Sequence, residues 1–358
     1  MLEDTFYRAC ARVHAFYQLL RFTSPPQPNA AVLLQAPFVL AALLFPSRAT
    51  LAGSAAANAL TILAHLPAVV DMDHWALHTD VGLLALLASG ADLGVISGTI
   101  RAQMATFYAA AGIWKATTDH SDPRLSCSSL LLVQTLCGWL PPALLSPTLV
   151  ALIARSAPHV TLVVEVGIPV LLLAPVRRLH RLGVLLALAL HVGITAAPLP
   201  LSISDFGAMS ASRLVYIAPE GFARAVDEAD AAAAAVLHGS VLGGVHAAVA
   251  AVIVASGVVC AVHGSGERVL AHTAFFALLA LNARAVVLDH RSQAGQPHAN
   301  QLKTAAAPAV RASGHAQQRL LTAAILGGAV FYAFGMPMLG LLDVGACTMF
   351  SHSACRNA

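Results

Sequence analysis

Charge is what this chain has least of. Of its 358 residues, 10% are Asp, Glu, Lys or Arg, against about a quarter in a soluble domain. So little charge cannot cover a water-facing surface of this size, which excludes a soluble enzyme and a disordered regulator. A formal net charge of only +3 also excludes a nucleic-acid binder that works by neutralising phosphates. Lysine is scarcer still: Lys115 and Lys303 stand beside 18 arginines and 16 histidines. No G-x-S-x-G, Walker loop, Rossmann glycine pattern or C-x-x-C pair occurs, which removes the common hydrolase, nucleotide and redox signatures. The six cysteines stand mostly in apolar surroundings, as packing thiols do, and give no redox address.

What is present is apolar. Hydrophobic residues make up 58% of the chain and the mean hydropathy is +0.74, the composition of an integral membrane protein. A bilayer core about 30 Å thick needs roughly 17–25 apolar residues per helix. Candidate spans fall at 30–46, 50–70, 81–99, 102–115, 127–154, 158–174, 180–198, 203–218, 235–262, 269–289 and 320–342. The expectation is an all-α, polytopic, multi-pass membrane helix bundle with about eight to ten spans, in an endomembrane. Residues 1–29 form an N-terminal segment in which Phe6, Tyr7, Phe16 and Tyr17 alternate with Arg8, Arg12 and Arg21, suiting a helix at the membrane interface. Residues 30–289 are the transmembrane domain, 290–319 a polar flexible loop, and 320–358 a last span with a short tail. Three prolines between Leu130 and Ile153 imply either one kinked span or two half-length segments. The basic turn at Arg177–Arg181 and the 290–319 loop share one side, which the positive-inside rule makes cytoplasmic. Arg48 and Arg101 fit that assignment less cleanly, and orientation stays open.

An ionisable group at the bilayer centre costs about 2.5–3.5 kcal/mol on insertion scales, so each one needs a reason. Glu165 stands inside TLVVEVGIPVLLLA. It is either a protonated carboxyl bonded to a neighbouring helix or one paired with a buried arginine, or else a charge partner or proton carrier in an interior cavity. Asp92, among small residues, reads as a packing position. Lys115 follows Trp114 at the end of an apolar stretch. A Trp-Lys pair can anchor a helix at the interface with the ammonium in water. Equally, a lysine retained in a chain that otherwise uses arginine can lose its proton and act as a base. His191 and His65 lie in apolar runs, where packing is the default. The segment DMDHWALHTD reads as a loop at a span boundary. Its His74 and His78, four apart, share a helix face as a metal pair would, but no second such cluster occurs, so no metal is expected.

FYAAAGIWK, Phe107 to Lys115, resembles the Y-F-x-A-G-x-x-K segment of the horizontally transferred transmembrane (HTTM) domain family, which includes the vitamin K-dependent gamma-carboxylase. Further segments follow in family order: DMDHW from Asp71, LVVEVGIPVLLLAPVRR from Leu162, LALALHVGITAAPLPLSISDFGAMS from Leu186, SRLVYIAPE from Ser212 and GMPMLGLLDVGACTMFSH from Gly335. The resemblance implies an HTTM-like bundle around an interior cavity. It implies Lys115 as the base that deprotonates reduced vitamin K or another quinol. It also implies His74 and His191 as pocket residues, with Glu165 as a partner. The chain departs from the family in carrying Trp114-Lys115 where the carboxylase has adjacent lysines. It also lacks a large hydrophilic region to hold a protein substrate.

The leading expectation is therefore an HTTM-type membrane protein, with carboxylase- or quinol-epoxidase-like chemistry if it is an enzyme. Its partners are the lipid bilayer and a small apolar ligand, not nucleic acid. Two rivals stand beside it: a proton-coupled carrier using Glu165, His191 and Lys115, and a non-catalytic membrane scaffold.

Overall fold

A computed structural model describes residues 2–19, 30–66, 71–116, 118–197, 204–237, 269–294 and 312–338. The elements among them are helical: α1 (Leu2–Leu19), α2 (Ala30–Leu44), α3 (Arg48–Ala64), α4 (Asp71–Ala88), α5 (Leu93–Lys115), α6 (Thr118–Ser121), α7 (Cys127–Trp139), α8 (Pro147–Leu173), α9 (Arg177–Thr195), α10 (Ser204–Leu214), α11 (Pro219–Leu237), α12 (Val269–Ala294) and α13 (Ala312–Val330). A π turn, Phe331–Gly335, carries α13 on into Met336–Met338. α5 is central, packing on α4, α8 and α13, while α1 packs on α2, α3 and α11.

Among the described residues, three helices are long and apolar enough to cross a membrane: Pro147–Leu173, Arg177–Thr195 and Ala316–Met338. Leu34–Leu44, Cys127–Trp139 and Phe276–Leu288 are apolar but shorter. The outward faces of the long helices are apolar as well. Val163 on α8 is 70% exposed and Leu320 on α13 is 73% exposed. Rows of this kind are what a water-soluble surface avoids and a lipid-facing one requires.

Local chemistry sets several boundaries differently from the apolar runs. The break expected near residue 100 falls at Ser89–Asp92. There Gly90 takes a φ of +68°, and the Gly90 and Ala91 N–H groups bond back to the Leu87 and Leu86 carbonyls, a Schellman closure of α4. Asp92 is not a membrane packing residue but the N-cap of α5, accepting from the Val95 N–H at 2.9 Å. DMDHWALHTD is not a boundary loop but the first half of α4. α3 starts at a reciprocal capping box between Ser47 and Thr50. The stretches expected as 127–154 and 158–174 divide instead into α7 and a single 27-residue α8. Ser146 caps α8 and Pro147 occupies its first turn.

Prolines inside helices free a carbonyl four residues back, and here neighbouring helices take up two of them. Pro158 has no N–H for the Ala154 carbonyl, which accepts from Ser129 Oγ of α7 at 2.7 Å. Pro337 likewise leaves the Ala333 carbonyl, which accepts from Trp114 Nε1 at 2.8 Å. Trp114 is thus bonded to the π turn rather than standing as an interfacial anchor.

The aromatic residues of α1 face protein: Phe6, Tyr7 and Tyr17 are buried, and Phe6 packs edge-on to Tyr216 and Phe222. Within the expected 290–319 loop, α12 continues to Ala294 and α13 begins at Ala312. Residues 295–311 with Lys303, most of the expected 235–262 span, and 339–358 with the rest of the terminal motif lie outside the described residues.

Candidate functional site

Lys115 closes α5, yet its side chain is 3% exposed and points into the bundle. Nζ donates to both carboxylate oxygens of Glu165, at 2.8 and 2.7 Å. The close approach depends on Gly112, one turn earlier on α5. A Cβ there would lie 2.8 Å from Val166 Cγ2 and 3.3 Å from the Val166 backbone nitrogen. Glu165 lies eight residues before the end of α8, about 12 Å at the helical rise. The lysine therefore meets α8 inside its apolar length rather than at its end. An ammonium and a carboxylate in this arrangement satisfy each other, and the pair keeps zero net charge whichever partner holds the proton.

A second buried polar pair lies two turns earlier on α5. Tyr108 Oη is 2.7 Å from His191 Nε2, both fully buried within the contact of α5 and α9. Nδ1 of His191 has no hydrogen-bond partner among the described residues. An orphaned polar atom in a buried ring is uncommon and calls for an account. Phe206 packs edge-on to His191 at 4.9 Å and to Trp75 at 5.2 Å, and Trp75 packs edge-on to Tyr108 at 5.4 Å.

His74 is on the far side of that aromatic wall. Its ring stacks on Tyr332 at 5.4 Å, and His78 meets the same ring at 4.5 Å. The two histidines share a helix face, as their spacing implies, and that face is turned to an aromatic ring. No group of three metal-ligating side chains occurs among the described residues. The fold therefore brings Lys115 to Glu165 and His191 to Tyr108, while among the described residues the rings of Tyr332, Phe107 and Trp75 lead from His74 to Tyr108. His65 sits apart, at the C-cap of α3, with Nδ1 bonded to the Thr61 carbonyl at 2.6 Å.

His120, in the short α6, lies near Lys115. Burial, the Lys115 charge and His159 hold its pKa below the usual histidine value, against a hydrogen bond to the Pro158 backbone that raises it.

The most densely bonded polar cluster was not singled out from the sequence. Asp80 on α4 accepts from Arg213 Nη2 at 2.5 Å and His14 Nε2 at 3.0 Å through one oxygen, and from Asn58 Nδ2 at 2.6 Å through the other. Gln18 Nε2 lies 2.7 Å from His14 Nδ1. Arg213 also donates to Thr79 and Ser212, and its guanidinium lies over the Tyr17 ring at 5.0 Å. The cluster joins α1, α3, α4 and α10. The only signal in the sequence was an arginine and an aspartate at the edges of apolar runs, with partners too distant in the chain to be matched.

Two cavities of about 320 and 480 Å³ are lined by neither Lys115, Glu165, His191 nor His74. Comparison with family models, with curated proteins and with solved structures found no match to this chain.

Proposed function

We propose that this chain is a multi-pass integral membrane protein of HTTM type whose Lys115–Glu165 pair moves a proton to or from a small apolar ligand of quinol or lipid size. The observation that carries the proposal is the inward, bidentate lysine: Nζ lies 2.7–2.8 Å from both Glu165 oxygens, inside the apolar length of α8. An anchor lysine would extend to the headgroups. A base needs a nitrogen lone pair, and passing the ammonium proton to Glu165 frees one with no change in the net charge of the pair. The interior then bears no new Born cost for arming the base. The orphaned Nδ1 of His191 supports a polar group of the ligand bonding there, with Tyr108 holding the ring.

The multi-pass bundle rests on the three span-length helices and their exposed apolar faces. The HTTM assignment and reduced vitamin K or another quinol as ligand rest on the ordered motifs around Lys115. The experiment is oxygen uptake by purified protein supplied with a reduced naphthoquinone, comparing wild type with Lys115→Arg. Arginine keeps the charge and cannot give up a proton, so uptake should fall at least a hundredfold. Undiminished uptake in the variant would remove Lys115 from the mechanism.

A proton-coupled carrier is the second reading, favoured by two buried polar pairs, Lys115–Glu165 and Tyr108–His191, set two turns apart on α5. It requires Glu165-dependent flux in proteoliposomes without any quinone.

A further inference from the structure

The 320 Å³ cavity opens between α5, α9 and α11, away from the Lys115 pair. Its lining sets three guanidinium groups, Arg101, Arg177 and Arg181, against one carboxylate, Glu220. Arg101 is held by a neighbour. Its Nη1 lies 3.2 Å from Nδ1 of His180, and because arginine can only donate, that nitrogen accepts. The proton of His180 is then on Nε2, which donates to the Ala174 carbonyl. The imidazole is neutral and aims Arg101 without cancelling its charge. Nε of Arg101 is buried and has no partner among the described residues, so a cavity-lining guanidinium keeps an unmet donor.

The backbone reinforces the side chains. Leu93 and Gly94 open α5, Arg177 opens α9, and Pro219 and Glu220 open α11, all on this cavity. The N-termini of α9 and α11 therefore add their partial positive charge to that of the arginines, while the Asp92 cap answers that of α5. Val176, the N-cap of α9, supplies no side-chain acceptor; its carbonyl takes the Leu179 and His180 N–H groups, and the Arg177 and Arg178 N–H groups ahead of them face the start of the helix.

We propose that this cavity binds a phosphate-bearing anion, held by Arg101 and Arg177. Phosphate fits because guanidinium forks bond it in pairs. Two sources share this chemistry. α8 ends and α9 begins beside the cavity, so in the membrane reading it lies at headgroup depth, where a lipid phosphomonoester can enter. A soluble phosphate can enter from the aqueous side.

The test uses the full chain, with the thermal midpoint as readout. One arm titrates inorganic phosphate at constant ionic strength. The other compares nanodiscs of phosphatidylcholine with nanodiscs containing phosphatidic acid. The proposal expects the midpoint to rise in at least one arm, with Arg101→Gln and Arg177→Gln each weakening the apparent affinity about tenfold or more. Arg284→Gln, which removes an exposed ion pair to Glu228 and none of the lining side chains, should leave it unchanged. A response to inorganic phosphate identifies a soluble ligand, and a response to phosphatidic acid alone identifies a headgroup. Arg177 is exposed, so its variant decides the matter if Arg101→Gln does not fold. No response from wild type in either arm, or a response that Arg177→Gln retains in full, overturns the proposal.

Discussion

Lys115 Nζ and the Glu165 carboxylate, fifty residues apart in sequence, meet at 2.7 and 2.8 Å with both side chains buried. Their energetics are asymmetric. Removing one partner strands a charge, whereas removing both leaves an apolar contact. Lys115→Met alone should destabilise the protein by about 3–5 kcal/mol, and Lys115→Met with Glu165→Leu should restore most of that loss. Unfolding in detergent measures both. A double variant as unstable as the single one would mean that the two residues are not coupled as the distances imply.

The Asp80 cluster makes the same demand more severely, because Asp80 serves Arg213, His14 and Asn58 together. Asp80→Leu leaves the Arg213 guanidinium buried and uncompensated, and should cost at least about 3–5 kcal/mol. Loss of folded protein on size-exclusion chromatography is the expected result. A monodisperse variant with wild-type stability would contradict the role given to Asp80.

Two glycines of α5 should respond in opposite directions. Gly112→Ala drives a Cβ to 2.8 Å from Val166 and should cost about 1–3 kcal/mol by pushing α5 off α8. Gly98 has nothing within 4 Å of the same atom, so Gly98→Ala should be neutral or stabilising by up to about 1 kcal/mol. Equal effects at the two positions would mean that α5 does not approach α8 as described.

Acid should weaken the fold through His120. Its pKa is lowered in the folded state, so below about pH 6.5 the unfolded chain binds a proton that the folded one refuses. The contribution is fully present above that pH and is lost as the pH falls. Thermal midpoints measured from pH 7.5 to 5 should drop more steeply for wild type than for His120→Asn. Parallel slopes would assign the acid sensitivity to other groups.

Much of the helical content and the presence of long apolar segments could be read from hydropathy, because both are local properties. Glu165 and Lys115 stood out singly, each an ionisable residue in or beside an apolar run. Boundaries were less legible where polar residues serve the interior. Asp71–Asp80 has the composition of a loop, yet Asp80 is neutralised by Arg213, 133 residues away, and the His74 and His78 rings rest on Tyr332. Asp92 was suspect for the same reason in reverse. Its carboxylate caps a helix three residues ahead, a local role hidden by the apolar residues on either side. Pro141, Pro142 and Pro147 suggested interruption and the chain does break there, between α7 and α8, whereas α8 runs on through Pro158 because Ser129 supplies a donor for the carbonyl it frees.

The most direct test of the Lys115–Glu165 account is oxygen uptake with a reduced naphthoquinone by the compensated double variant, Lys115→Met with Glu165→Leu, compared with wild type at equal folded concentration. A proton-transfer pair predicts turnover in wild type and a loss of at least a hundredfold in a double variant that remains folded. Equal turnover in the two proteins, or none in wild type, would contradict it.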